Sequence, residues 1–262
     1  MRLLRGDGPL IRVGHRGAAA LAPENTLGAF ETALALGVDA IEFDVLDLVD
    51  GPLVLAHSND LHEVSHGAAS GTVRDRSLAE LRELAPDLPT LDEALAFFAD
   101  LPGVIAHVDL KLTGRLDELV ASLERHGLAG RAVVSSFHRE SLATVARAAP
   151  DLRIGFTYPE DRRGVARRPI LHPAIRLGTV ALRAVLARRV RAMLARTGAK
   201  ALMLHHAVVS ADAVEAAHAR GAAVWTWTVD RPEELARMEA AGVDAVITND
   251  PGIFETVATL TA

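Results

Sequence analysis

Apolar positions along the chain follow two patterns that take turns. Short runs rich in valine, isoleucine and leucine occur at Leu10 to His15, Ala40 to Leu48, Val104 to Leu112, Ala132 to Phe137, Leu152 to Tyr158, Ala201 to His205, Ala223 to Val229 and Ala245 to Thr248. Runs of this length bounded by turn residues predict strands buried on both faces. Between them, apolar residues recur three and four apart, the spacing of an amphipathic helix. These stretches are Thr26 to Leu36, Leu91 to Ala99, Leu116 to Arg125, Glu140 to Ala148, Ile175 to Arg196, Ala211 to Ala219, Pro232 to Ala240 and a last one from Ile253. Eight alternations in 262 residues predict an α/β fold, a (β/α)8 TIM barrel spanning 1–262 as one domain, with a doubly wound open sheet as the alternative.

A partial repeat fits this pattern. Leu36-Gly37-Val38-Asp39-Ala40-Ile41 before the second strand matches Ala241-Gly242-Val243-Asp244-Ala245-Val246 before the eighth. Each glycine suits a helix C-terminal cap and each aspartate a turn into the next strand. One insertion interrupts the alternation. Asp50-Gly51 turns into a short strand, Leu53 to His57, and about 59–89 is rich in Gly, Ser, His and Asp. Barrel loops of that length are functional lids or small subdomains.

Composition narrows the class. The chain is 50% hydrophobic and 24% charged with a net charge of -6, which argues against a nucleic-acid binder. It has no cysteine, so thiolate metal sites, cysteine nucleophiles and disulfides are excluded. No apolar stretch approaches the ~18 residues of a membrane span, and the first ten residues hold no signal-type apolar region, so a cytoplasmic location is expected.

The chemistry gathers at predicted strand ends. In a barrel the C-terminal ends of the strands build the site, and residues two apart on a strand share a face. Ile41-Glu42-Phe43-Asp44-Val45 therefore sends two carboxylates one way, and His107-Val108-Asp109-Leu110-Lys111 sends a third, with a lysine. Three carboxylates facing one lumen repel unless something cationic sits among them. Either a hard divalent cation, Mg2+ or Ca2+, or the basic groups Lys111 and Arg16 can fill that role. His15 ends the first strand and His57 the short one, so both can stand over one rim as a neutral-pH acid and base pair. At the same rim, alternation sends one of His205 and His206 inward, while Ser136 and Phe137 end the fourth strand. Trp225 shares a face with Trp227 and is expected deeper in the barrel.

Taken in order, Gly14-His15-Arg16-Gly17, Pro23-Glu24-Asn25-Thr26, Glu42-x-Asp44, His57, Asp109-x-Lys111, Trp227-Thr228-Val229 and Gly242-Val243-Asp244-Ala245-Val246-Ile247-Thr248-Asn249 resemble the glycerophosphodiester phosphodiesterases over about residues 11–255. The resemblance implies a TIM-type barrel that hydrolyses small-molecule glycerophosphodiesters to glycerol 3-phosphate and an alcohol, with a divalent cation. Carried onto this sequence, Glu42, Asp44 and Asp109 hold the metal, His15 and His57 are the acid and base, and Arg16 and Lys111 hold the phosphate. Glu24 and Asn25 shape the rim, with Asn25 also a candidate helix N-cap and Glu24 free to face the metal rim, and Trp227 walls the glycerol end. Gly17 is expected to let the chain leave the strand sharply and to bring backbone close to a phosphate.

Three positions depart from the family pattern. Asp109 stands where Glu is common, one methylene shorter, which is similar to the sphingomyelinase D-type phospholipases. Ser58-Asn59 follows His57 where Asp is frequent, leaving the group that orients this imidazole unnamed. Asp230 replaces a common Asn. The alternatives to the diesterase reading are a phospholipase D-like activity on lysophospholipids and a relative that binds a phosphorylated ligand without turnover. Residues 159–200 carry ten arginines and one lysine against two acids. Ile175, Leu182, Leu186 and Met193 fall on one face there, which predicts an outer barrel helix with a solvated basic side; the alternative is contact with an anionic membrane surface.

Overall fold

A computed structural model describes residues 1–160 and 172–255. Nine strands form one sheet: β1 (Ile11–His15), β2 (Ala40–Asp47), β3 (Leu53–Leu55), β4 (Ile105–Leu110), β5 (Ala132–Ser136), β6 (Arg153–Tyr158), β7 (Ala201–His205), β8 (Ala223–Trp227) and β9 (Ala245–Thr248). Around it lie α1 (Leu27–Ala35), α2 (Leu61–Val64), α3 (Leu78–Leu84), α4 (Leu91–Ala99), α5 (Leu116–Arg125), α6 (Arg139–Ala148), α7 (His172–Thr197), α8 (Ala211–His218) and α9 (Pro232–Ala240). The parallel strands run in the order β1-β9-β8-β7-β6-β5-β4-β2, and β1 pairs back onto β2. That last pairing, Val13 opposite Ala40 and His15 opposite Glu42, closes the barrel and removes the open-sheet alternative.

Strand alternation sorts residues between two environments. Outward side chains such as Ile41, Phe43, Val108 and Val134 pack beneath the helices in the larger core. Phe30 of α1, Phe43 and Phe98 of α4 meet there with ring centroids 5.4 to 5.7 Å apart. Inward side chains of the lower barrel, Ile11, Val13, Ala40, Val133, Met203, Trp225 and Ala245, form a second core inside the lumen. Trp225 is fully buried, as its place below Trp227 implies, and donates its indole N–H to the Leu3 carbonyl at 3.2 Å, so the N-terminal segment plugs the barrel floor.

The repeat before β2 and β9 has the geometry its residues predict. Gly37 and Gly242 have φ of 72° and 83°, the left-handed values that end a helix. Asp39 then accepts the Arg12 N–H, and Asp244 the Val224 N–H, each across to a neighbouring strand.

The insertion after β2 is a small subdomain. β3 pairs antiparallel to β2, Val45 opposite Leu55, and α2 and α3 follow. A third apolar cluster, including Leu46, Val54, Leu61, Val73, Leu81 and Leu88, gives it its own core. In α7 the buried face is Leu186 and Val190, with Leu182 and Met193 partly buried beside them. Ile175, seven residues before Leu182 on the same helix face, lines the cleft at the barrel mouth. The stretch 161–171 of the basic segment, and the last expected helix beyond residue 255, lie outside the described residues.

Candidate active site

Register brings the charged residues into adjacent rows. His15 lies opposite Glu42, Glu42 opposite His107, and Asp44 opposite Asp109, which in turn faces Ser135. The result is a cleft of about 730 Å³ at the C-terminal ends of the strands. His15, Arg16, Glu42, Asp44, His57, Asp109, Lys111 and Trp227 all line it. Ligand oxygens of Glu42, Asp44 and Asp109 lie within 4.8 Å of one another, and all three side chains are buried.

The turn after β1 aims Arg16 inward. Arg16 adopts φ of 51°, which directs its N–H to Glu42 Oε2 at 3.0 Å and its side chain toward β2. Its Nε stands 3.0 Å from Asp44 Oδ2, and its Nη1 donates to both oxygens of Glu24 at 2.7 and 2.8 Å. Glu24 therefore faces the guanidinium and not the acidic cluster, contrary to the expectation from sequence. Gly17 has φ of 87°, which lets the chain leave β1 sharply, as expected. A Cβ there would lie 2.6 Å from the Ala29 carbonyl carbon, so glycine permits close packing of this turn on α1.

Asn25 is not the helix cap. Thr26 caps α1, its side chain accepting the Ala29 N–H at 3.2 Å. Asn25 takes φ of 57° and grips Asp44 at two points, Nδ2 to Oδ2 and Oδ1 from the Asp44 N–H, both 3.0 Å. The aspartate is thus fixed by an amide on one side and by cations on the other. Lys111 Nζ lies 2.9 Å from Asp44 Oδ1 and 2.6 Å from Asp109 Oδ2. Asp109 Oδ1 accepts from Ser135 Oγ and, at 3.3 Å, from Thr157 Oγ1. These two hydroxyls hold the short acid in the direction of β5 and β6.

Electrostatics follows from burial and neighbours. Burial, with Asp44 and Asp109 adding, raises the Glu42 carboxyl well above its ordinary range. Burial pushes Asp44 the same way, but Lys111 and then Arg16 outweigh it and the net shift is downward. Lys111 and Arg16 are held charged by these carboxylates despite their own burial. Burial, with Arg16 second, lowers His15 to about 4, so the ring is neutral at neutral pH. Two fixed cations do not balance three carboxylates, and the imbalance falls on Glu42, whose carboxyl is shifted upward.

An all-oxygen, buried donor set of this kind fits a hard divalent cation. Asp44 Oδ1 supplies a specific sign of fit: it is buried with no hydrogen bond, since Lys111 is near but not aligned. That oxygen, ion-paired with Lys111 but without a hydrogen bond, keeps a lone pair for a cation held among the three acids.

The two histidines are oriented by different groups. His15 Nδ1 meets Asn249 Oδ1 at 2.6 Å, and Asn249 Nδ2 donates to Asp230 Oδ2 at 2.7 Å. Asp230 also accepts the Asn249 N–H and the Thr248 hydroxyl, so this departure from the family pattern fixes the amide that holds His15. His57 Nδ1 meets Glu63 Oε1 at 2.6 Å. Glu63, Ser135 and Thr157 are the contributors not foreseen from sequence. The pattern Asp60-x-x-Glu63 is a helix-start signal that could have pointed to Glu63; nothing local marks the two hydroxyls.

The rest of the rim resolves as alternation requires. His205 faces the cleft, edge-on to Trp227 with centroids 5.0 Å apart, while His206 turns to Glu234 at 3.4 Å. Ser136 is buried and donates to the Leu110 carbonyl, leaving Phe137 to line the cleft against Trp227. The Trp227 indole is fixed by a 2.9 Å bond to the Met203 carbonyl.

A barrel with an acidic triad, two basic side chains and four imidazoles lining one cleft has the make-up of a phosphoric-ester hydrolase. The sequence profile of the glycerophosphoryl diester phosphodiesterase family matches residues 15–253, and the chain belongs to that family. A glycerophosphodiester phosphodiesterase of Caldanaerobacter subterraneus is 30% identical over 257 residues, covering 91% of this chain and 93% of the relative. Among solved structures, an Oleispira antarctica phosphodiesterase in complex with the product sn-glycerol-3-phosphate has a TM-score of 0.73 at 22% identity, over 96% of this chain and 97% of that one. The Thermotoga maritima glycerophosphodiester phosphodiesterase gives 0.70 at 22% identity, over 95% and 98%.

Proposed function

We propose that this protein hydrolyses small glycerophosphodiesters to glycerol 3-phosphate and an alcohol, with a divalent cation held by Glu42, Asp44 and Asp109 and with His15 and His57 as the acid and base. The observation that carries the reading is the convergence of the buried triad and both imidazoles on one cleft. Cleaving a phosphodiester builds negative charge on the non-bridging oxygens and on the departing alkoxide. A bound Mg2+ or Ca2+ would supply Lewis-acid stabilisation of that charge. Arg16 and Lys111, held charged by their carboxylate neighbours, bind the phosphate, and Asn25 keeps Asp44 in place. Of the two imidazoles, one takes a proton from the attacking oxygen, that of water or that of the substrate's own glycerol hydroxyl with water then opening the cyclic phosphate, and the other delivers a proton to the leaving alkoxide. Trp227, with Phe137 against it, walls the end that receives glycerol.

A second reading has a specific observation in its favour. Leu177 and Val180, on the α7 end that also sends Ile175 and Thr179 into the cleft wall, are exposed at 73% and 65%. An apolar mouth beside a basic helix suits a lysophospholipid at an anionic membrane surface. No helix among the described residues is long and apolar enough to cross a membrane. The experiment that separates the readings offers glycerophosphoethanolamine and a lysophospholipid to the purified protein with Mg2+ or Ca2+. Release of glycerol 3-phosphate from the soluble diester is the expected outcome; turnover of the lipid alone, with salt-sensitive liposome flotation, supports the second reading instead.

A further inference from the structure

We infer that Glu63, on the insertion subdomain, positions His57 for proton transfer. The inference rests on the reading of His57 as one member of the acid and base pair. Its ground is a chain of contacts that reaches from the insertion core to the imidazole. His57 follows β3 at the cleft rim and has no oriented partner on its own segment except through Glu63, whose Oε1 stands 2.6 Å from Nδ1. The other oxygen of Glu63 accepts from Ser58 Oγ at 2.5 Å, and Ser58 Oγ accepts the Asp60 N–H at 3.2 Å.

The carboxylate is held in turn by the fold of the insertion. Asp60 caps α2 through the His62 N–H at 3.0 Å, and Leu61 is fully buried in the insertion core with Val73 and Leu81. A four-residue helix has little stability of its own, so this seating is what gives Glu63 a fixed place. Arg16 Nη1 lies 3.6 Å from Glu63 Oε1, so the guanidinium that faces Asp44 also faces the partner of His57.

The chemistry follows from the acceptor. Hydrogen bonds from His57 and Ser58 hold the Glu63 carboxyl down to about 2, so at neutral pH it accepts and does not donate. The proton of the His57 to Glu63 contact is then on Nδ1, which leaves Nε2 as the nitrogen that exchanges a proton with substrate. An imidazole without such a partner populates both tautomers and rotates about its side-chain bonds. Glu63 removes both freedoms. Ser58, standing where the family often has Asp, contributes a hydroxyl that steadies the carboxylate.

The test compares Glu63→Ala, Glu63→Gln and Ser58→Ala with His57→Ala, in the cation-supplemented full chain acting on glycerophosphoethanolamine. It adds long-range 1H–15N NMR of the histidine rings. Glu63→Ala is expected to lower kcat about ten- to a hundredfold, the usual cost of losing a partner that orients a functional histidine, with KM little changed. Glu63→Gln, which preserves shape, falls between, and Ser58→Ala loses least. In the wild type the His57 resonance should report the Nδ1–H tautomer, and in Glu63→Ala the other should become populated. An inactive His57→Ala beside a Glu63→Ala protein with wild-type kcat and an unchanged His57 tautomer overturns the inference and leaves the acid and base reading standing. Wild-type kcat in His57→Ala overturns that reading and the inference with it.

Discussion

At the floor of the barrel the inward positions are Ile11, Val13, Ala40, Val133, Met203, Trp225 and Ala245, sealed by the N-terminal segment through Leu3. Further along the same strands the inward positions become His15, Glu42, Asp44, His107 and Asp109. Both ends are buried, but burial does opposite work in each. At the floor it removes apolar surface from water and stabilises the fold. At the rim it strips charges of solvent, which costs stability and shifts the proton affinity of groups such as Glu42 and His15. The contrast teaches where substitutions should separate stability from activity.

The largest effects are expected at the rim. His15→Ala should lower kcat about a hundred- to ten-thousandfold, as removal of a general acid or base does, while the melting temperature moves little. A steady-state assay beside a thermal melt checks both, and parallel losses in the two would blur the contrast. Trp225→Ala should do the reverse, costing about 3 to 5 kcal/mol of unfolding free energy by chemical denaturation with near-normal activity in the folded fraction. Cation addition comes next. Mg2+ or Ca2+ should raise the melting temperature of the wild type, and Glu42→Gln should abolish most of that rise, because among the described residues the one group of acids placed to hold a metal ion lies at the rim.

A smaller effect is expected from pH. Burial lowers His15, His107 and His205 to about 4, with Arg16 adding at His15 and His206 at His205. The unfolded chain titrates these rings near 6.5 and so binds more protons between about 4 and 6.5. Stability should therefore fall as pH drops through that interval, and a melting temperature flat across it would contradict the account of the buried rim. The smallest effect belongs to neither end: Thr26→Ala, which removes the cap of α1, should cost about 1 kcal/mol in a urea titration.

Much of the barrel is legible in the sequence, because strand alternation and helix spacing are local properties. The eight barrel strands, the helices between them and the shared face of Glu42 and Asp44 follow from it directly. What is not legible depends on backbone turns and on contacts distant along the chain. Asn25 reads as an N-cap by residue type, yet its left-handed φ turns its amide to Asp44, nineteen residues away, and passes the cap to Thr26. Glu24 reads as free to face the metal site, but the equally unusual φ of Arg16 brings a guanidinium onto it first. The partner of His57 is hidden for another reason, since the short helix that carries Glu63 is fixed by the insertion core and not by its own pattern.

The central claim is that the buried triad and the two histidines form one cation-dependent diesterase site. It is tested most directly by glycerol 3-phosphate release from glycerophosphoethanolamine after the protein has been stripped with EDTA and then resupplied with Mg2+ or Ca2+. The account predicts no release from the stripped protein, recovery on resupply, and no recovery in His15→Ala. Release that persists through both EDTA and the His15 substitution would contradict it.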